Sequence, residues 1–321
     1  MKKFLIILGA LLLVLYLSVC WFFSNLILIP PNGPAEVVMA ALEEYAQDDL
    51  VPGSDYFSSP TDFTINSTDG TELKGWFFKA DSSNCGIIMA HGWSNNRTSM
   101  NKYFSLFEDC RCDIVTFDHR GHGISEAAYA TGGIKEAEDL LAVTDWYQKE
   151  SGRPDAAIGW LGISWGGATV LQAGAEEKNV AFIVSDSPFQ DWNSAVMERA
   201  IRDYGSWIKA FAPMIKALVR IRAGVSFNAA SSRDIANQIE EPVFLIHSAG
   251  DSATASSQSI NIAKELDPAN SVFHHTQWGN DHAKDISNNP EEFKSLLADF
   301  LNTKVSGFGA CNTQTMVAPP E

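Results

Sequence analysis

One serine in this 321-residue chain stands in a pattern suited to covalent catalysis: Gly162-Ile163-Ser164-Trp165-Gly166, ending an apolar run. A hydroxyl is a weak nucleophile alone, so the pattern has meaning only with a base and a group that orients the base. Of the seven histidines, His282 in "WGNDHAKD" stands on a loop just after a last, more polar run, "SVFHHTQWG". The others fall in turns, at run ends or within runs: His91, His119, His122, His247, His274 and His275. The orienting carboxylate should come from a run that ends earlier. Asp251 in "IHSAGD" fits, and Asp186 in "SDSP" is its rival. Asp281 adjoins His282, where bonding to the ring is awkward. The order Ser164, Asp251, His282 is the order expected of a serine raised on a strand-to-helix turn.

A nucleophile of this kind needs two backbone donors for the oxyanion. The N–H of Trp165, next after the serine, is one candidate. Trp93 in "HGWSNNR" is the other, with Gly92 allowing close approach. Acyl transfer by such a group needs no cofactor, and the absence of a Cys-x-x-Cys pair gives a zinc site little support.

These residues require elements that bring them together. "CGIIMAHG", "CDIVTFDHRGHG", "AAIGWLGIS", "VAFIVSDSP" and "PVFLIHSAGD" are short apolar runs, each ending in a polar loop. Stretches of helical spacing, such as 134–150 and 257–266, lie between them. Apolar strands alternating with helices predict a parallel sheet covered on both faces, with ligands at the carboxyl ends of its strands. Asp69-Gly70 predicts a hairpin before this series. Residues 189–241 hold no strand pattern. Met197, Ile201, Tyr204, Ile208, Phe211, Ile215 and Leu218 recur at helical spacing, with Pro213 as a break, and predict a helical lid.

The N-terminus "MKKFLIILGALLLVLYLSVCWFF" carries two lysines and then no charge before Glu36. Phe4 to Phe23 is long enough to cross a bilayer as a helix, with Trp21, Phe22 and Phe23 as an aromatic belt. Lys2 and Lys3 place the remainder on the extracytoplasmic side, periplasmic or extracellular. A cleaved leader is the competing reading, but no A-x-A site follows the run. The expected organisation is a signal-anchor over 1–29, a linker with a short helical segment over 30–58, a catalytic domain over 59–305 and an irregular tail over 306–321. A net charge of −16 excludes nucleic acid as a natural partner and disfavours peripheral attachment to anionic headgroups. The expected partners are a small or lipid-like acyl substrate and the membrane itself. Nothing in the sequence sets the oligomeric state. Five cysteines suit an oxidising compartment, and Cys85 opening one strand beside Cys110 or Cys112 predicts a bridge to one of the two.

"AHGWSNNR", "TFDHRGHGIS", "GISWGG", "FLIHSAGD" and "GNDH" stand in the order and spacing of the α/β-hydrolase superfamily. From about residue 60 to 302 the chain resembles its membrane-anchored, Bem46-like and serine-aminopeptidase-like branch. The resemblance implies the α/β-hydrolase fold, with a mostly parallel twisted sheet, flanking helices and a lid insert. It also implies Ser164 as nucleophile, Asp251 as acid, His282 as base, and a bracing role for Asp118, His119 and Arg120. One departure is that relatives read His-Gly-x-x-Asp and then Val-Pro near the acid, where this chain reads "HSAGDSATA". The resemblance says little about substrate, and the apolar insert and the many aromatics favour hydrolysis of a carboxylic ester or thioester. A peptidase on the same residues is the alternative, with Glu198 or Asp203 receiving the substrate amine. A binding protein that has lost the chemistry is a third reading.

Overall fold

The computed structural model describes residues 1–31, 59–107, 109–176, 179–305 and 307–308. The short helix expected within 37–58, Cys311 and most of the tail lie outside the described residues. Among the described residues, eight strands form one sheet: β1 (Thr61–Asn66), β2 (Glu72–Phe78), β3 (Gly86–Ala90), β4 (Asp113–Phe117), β5 (Ile158–Ile163), β6 (Phe182–Asp186), β7 (Val243–Ser248) and β8 (Ser271–Thr276). Their order is β1-β2-β4-β3-β5-β6-β7-β8. The hairpin β1–β2 is antiparallel and β2 pairs antiparallel with β4, while every later pairing is parallel.

The helices are α1 (Lys2–Leu28), α2 (Ile134–Ser151), α3 (Trp165–Gly174), α4 (Trp192–Tyr204), α5 (Ala212–Ala223), α6 (Ser232–Ile235), α7 (Ser257–Ala263), α8 (Asp285–Asn288) and α9 (Pro290–Lys304). Alternation along β3 shows why both sheet faces need cover. Ile87 and Met89 join the core beneath Phe293 and Leu297 of α9, whereas Ile88 and Ala90 join the opposite core with Leu140 and Val143 of α2. A strand buried on both faces must read as a continuous apolar run, the pattern seen in the sequence.

Chain direction reverses about β3. The chain passes from β3 to β4 on one side and then to β5 on the other. Such a switch point leaves a crevice at the strands' carboxyl ends. Register also explains the bridge. Gly86 pairs with Asp113, so the residues before them are neighbours, and Cys85 is bonded to Cys112.

Between β6 and β7 the chain forms α4, a 3-10 turn over Ser206–Ala210, α5 and α6. The break falls at Gly205, which takes φ +88 after α4, and not at Pro213. Pro213 instead lies in the first turn of α5, where its missing N–H costs nothing. α1 is a single apolar helix of 27 residues. Its last turns join Trp165, Trp192 and the insert in a third apolar cluster, and Ala130 donates to the Leu28 carbonyl at 2.9 Å.

Candidate active site

β5 runs into α3 with almost no connection, and Ser164 is the hinge. Its backbone takes φ 55 and ψ −109, a conformation unfavourable for a residue bearing a side chain. The surroundings impose it. A Cβ on Gly162 would collide with the Gly166 carbonyl, and one on Gly166 with the Ala90 carbonyl. The Ser164 N–H is tied to the Asp186 carbonyl at 2.7 Å. The turn is therefore closed from three strands, and it projects the serine side chain at the carboxyl edge.

His282 arrives from the loop after β8. Asn280 and Ala283 flank it at φ 59 and 51, so the loop is tightly coiled. Ala283 is buried in the core, and Lys102 donates to its carbonyl at 2.9 Å. Packing thus holds a loop that its own backbone preferences would not select. His282 Nε2 lies 2.7 Å from Ser164 Oγ, and His282 Nδ1 lies 2.6 Å from Asp251 Oδ2. With the ring proton on Nδ1, His282 donates to Asp251 and Nε2 accepts from the Ser164 hydroxyl.

Asp251 is buried on the loop after β7. Its Oδ1 accepts from the N–H groups of Ala253 and Thr254 at 2.8 and 2.9 Å. Its Oδ2 also meets Nε2 of buried His247 at 2.9 Å. Burial alone would raise its pKa. The bonds from His247, His282 and Thr254 outweigh burial and hold the carboxyl well below the usual range. The serine–alanine loop that departs from the pattern of relatives therefore presents its own backbone donors to Asp251.

The rival carboxylates are engaged elsewhere. Asp186 is buried at the end of β6, accepting from the Tyr103 hydroxyl at 2.6 Å and from Ser187 Oγ at 2.8 Å. Asp281 accepts from the backbone N–H of His282 at 2.8 Å. His247 is the participant that sequence reading passed over, as a residue merely ending a strand. The available signal was its position four residues before Asp251.

Trp93 follows β3 and Trp165 opens α3, with ring centroids 4.8 Å apart. Gly92 is close enough that a Cβ there would lie 3.4 Å from Ser164 Cβ. Trp165 is the first residue of α3, so its N–H precedes the helix's own bonding pattern. Behind Trp93 lie buried His91, His119 and His122. His91 Nε2 accepts from the His119 N–H at 3.1 Å. Burial pushes all three imidazoles toward the neutral form, His122 down to about 3. Asp118 takes Arg97 Nη2 at 2.8 Å, and Arg120 pairs with Asp139 at 2.5 Å. The "DHRGHG" turn is therefore a buried brace.

Ser164 and His282 open into a cavity of about 520 Å³. Its wall is apolar, including Trp93, Trp165, Phe189 and Ile208, together with Phe23, Leu26 and Ile27 of α1. That volume suits a small-molecule site. Among the described residues, no group of three or more His, Cys, Asp or Glu is placed to hold a metal ion.

Residues 87–218 match a family model described as the α/β-hydrolase fold. An uncharacterized protein of Bacillus subtilis, YqkD, is 26% identical over 311 residues, covering 94% of this chain and 98% of its own. A thiohydrolase of Aspergillus aculeatus, aneE, is 26% identical over 125 residues, 38% of this chain and 39% of its own. The Pyrococcus furiosus esterase superposes with a TM-score of 0.67 at 22% identity, covering 87% of this chain and 98% of that one. Sheet order, the helices on both faces and these matches give the chain the α/β-hydrolase fold.

Proposed function

We propose that the chain is a serine hydrolase of carboxylic esters or thioesters, with Ser164 as nucleophile, His282 as base and Asp251 as its orienting acid. The observation that carries this reading is the continuous hydrogen-bonded chain from Ser164 Oγ through His282 to Asp251, opening into an apolar cavity. His282 takes the hydroxyl proton as Oγ attacks the acyl carbon. The N–H groups of Trp93 and Trp165 receive the developing oxyanion. His282 then returns the proton to the leaving group. An acyl-enzyme remains, and water deprotonated by His282 releases the acid. Asp251 stays ionised and stabilises the imidazolium formed in both halves. No cofactor enters this sequence.

The esterase and thiohydrolase among the similar proteins support an acyl substrate. The peptidase alternative requires an unengaged carboxylate for the substrate amine. Glu198 accepts from Gln258 at 2.7 Å, and Asp203 is paired with Arg202 at 2.9 Å and Arg199 at 3.5 Å. Neither favours an amine, and the ester reading is preferred. A binding protein without chemistry would have no need of the strained serine.

We further propose that α1 is an uncleaved anchor, as in the anchored branch the sequence resembles, with the catalytic domain extracytoplasmic. The Cys85–Cys112 bridge supports an oxidising compartment. The insert between β6 and β7 then acts as the lid. The test is covalent labelling of the full chain by a fluorophosphonate. Labelling of the wild type, lost in Ser164→Ala and His282→Ala, is expected. Labelling that survives Ser164→Ala, or is absent from folded wild type, overturns the proposal.

A further inference from the structure

A helix that only anchors need not touch the catalytic site. Here α1 does. Phe23, Leu26 and Ile27 share the cavity wall with Ser164 and His282. The lid also follows α1 downward. Phe23 packs edge-on against Tyr204 with centroids 4.9 Å apart. Tyr16 stacks on Phe211 at 5.0 Å. At 1.5 Å per residue, Tyr16 lies about 10 Å below Phe23 along the helix. α5 then climbs back beside α1. Arg222, near its end, donates to Ser24 Oγ at 2.6 Å and lies over the Trp21 ring at 4.2 Å.

With Phe4 to Phe23 crossing the bilayer, Trp21 marks the headgroup level. The start of α5, at the level of Tyr16, then lies among the acyl chains of the outer leaflet. The exposed lid side chains fit a lid set in the membrane interface, between that level and the headgroups. Trp207 is 52% exposed and Ile221 78% exposed, placements that water disfavours and lipid does not. The charge fits too. Residues 205–228 carry Lys209, Lys216, Arg220 and Arg222 and no acidic side chain, in a chain of net charge −16. Cations on long stems reach back to anionic headgroups from such a position.

We infer that α1 is a working wall of the acyl pocket, and that the substrate is a long-chain acyl ester or thioester resident in the outer leaflet. It enters laterally, along the seam between α1 and α5, without crossing water. This rests on the hydrolase reading above, which the butyrate arm below tests separately.

The full chain is reconstituted in vesicles of phosphatidylglycerol and phosphatidylcholine. Hydrolysis of 4-methylumbelliferyl oleate is compared when the ester is in the protein's own vesicles and when it is in separate, protein-free vesicles. Hydrolysis of soluble p-nitrophenyl butyrate is followed beside it. Oleate in the same bilayer is expected to react at least ten times faster than oleate in separate vesicles. Leu26→Trp narrows the wall, and Leu26→Gln makes it polar. Each is expected to lower the oleate-to-butyrate ratio at least ten-fold, while Leu12→Trp, on α1 away from the cavity, leaves it unchanged. Equal rates from the two vesicle arrangements, an unchanged ratio in both Leu26 variants, or hydrolysis of butyrate without oleate overturns lateral entry. Failure to hydrolyse butyrate at all, with no serine labelling, overturns the hydrolase reading instead.

Discussion

Replacing Asp251 by asparagine tests the site where its geometry is most specific. The carboxylate accepts from His282, His247, Ala253 and Thr254, and its side chain is buried. Asparagine keeps one accepting oxygen but presents an N–H donor where Oδ2 stood or where two backbone N–H groups point. Facing His282, that N–H favours the other ring tautomer, with the proton on Nε2. Nε2 could then no longer accept from Ser164, which it meets at 2.7 Å. The lost charge matters as well. With charge centres about 4 Å apart and an effective dielectric of about 20, the imidazolium loses roughly 4 kcal/mol of stabilisation, near 10³-fold. The tautomer change adds to this, so kcat/KM for p-nitrophenyl butyrate is expected to fall about 10³–10⁴-fold. Asp186→Asn serves as the control. Its carboxylate bonds Tyr103 and Ser187 and does not face His282, so activity should stay within about ten-fold of wild type. The assay is steady-state hydrolysis by detergent-solubilised full chain, with folding checked by circular dichroism. A folded Asp251→Asn variant retaining more than a tenth of wild-type activity would refute the reasoning. So would a larger loss in Asp186→Asn.

Further predictions follow from the same contacts. His247→Ala removes one charge-assisted bond from Asp251, and kcat is expected to drop about ten-fold with KM little changed. His247→Gln, which can still donate, should recover part of that loss. Cys112→Ser opens a loop of sequence separation 27 and should lower stability by roughly 3–4 kcal/mol in chemical denaturation. Buried Asp285 has its pKa pushed up to about 6 by burial, against the bond from Thr276. A raised carboxyl is best tolerated while protonated, so its contribution falls as pH rises through 6. Asp285→Asn should therefore raise Tm at pH 8, by a free energy on the order of 2–3 kcal/mol, and change it little at pH 4. Equal effects at both pH values would contradict the burial argument.

The fold and much of the candidate site were legible in the sequence because both rest on local rules. A strand covered on two faces must be apolar throughout, so β3 to β7 announced themselves. A serine between Gly162 and Gly166 announced a turn too crowded for a Cβ. Ordering along the chain then pointed to Asp251 and His282, while leaving Asp186 open. Local pattern could not decide between the carboxylates, because both end a strand. Only the pairing of β7 with β8 sets Asp251 beneath the loop that carries His282.

The remaining features depend on distances that sequence spacing does not encode. His247 looks like a strand residue until the loop after β7 folds back and brings Asp251 onto its ring. The choice of Cys112 as partner of Cys85 came from the register of β3 on β4. The whole-chain charge of −16 spoke against an anionic membrane surface, yet folding gathers the basic stretch of the lid beside α1. The sequence by itself determined the apolar character and length of α1, since hydropathy is a sum over adjacent residues. That the end of α1 forms a wall of the Ser164 cavity was decided only by tertiary packing. Apolar burial has no direction of its own, and the faces left open by the lid selected α1 to cover them.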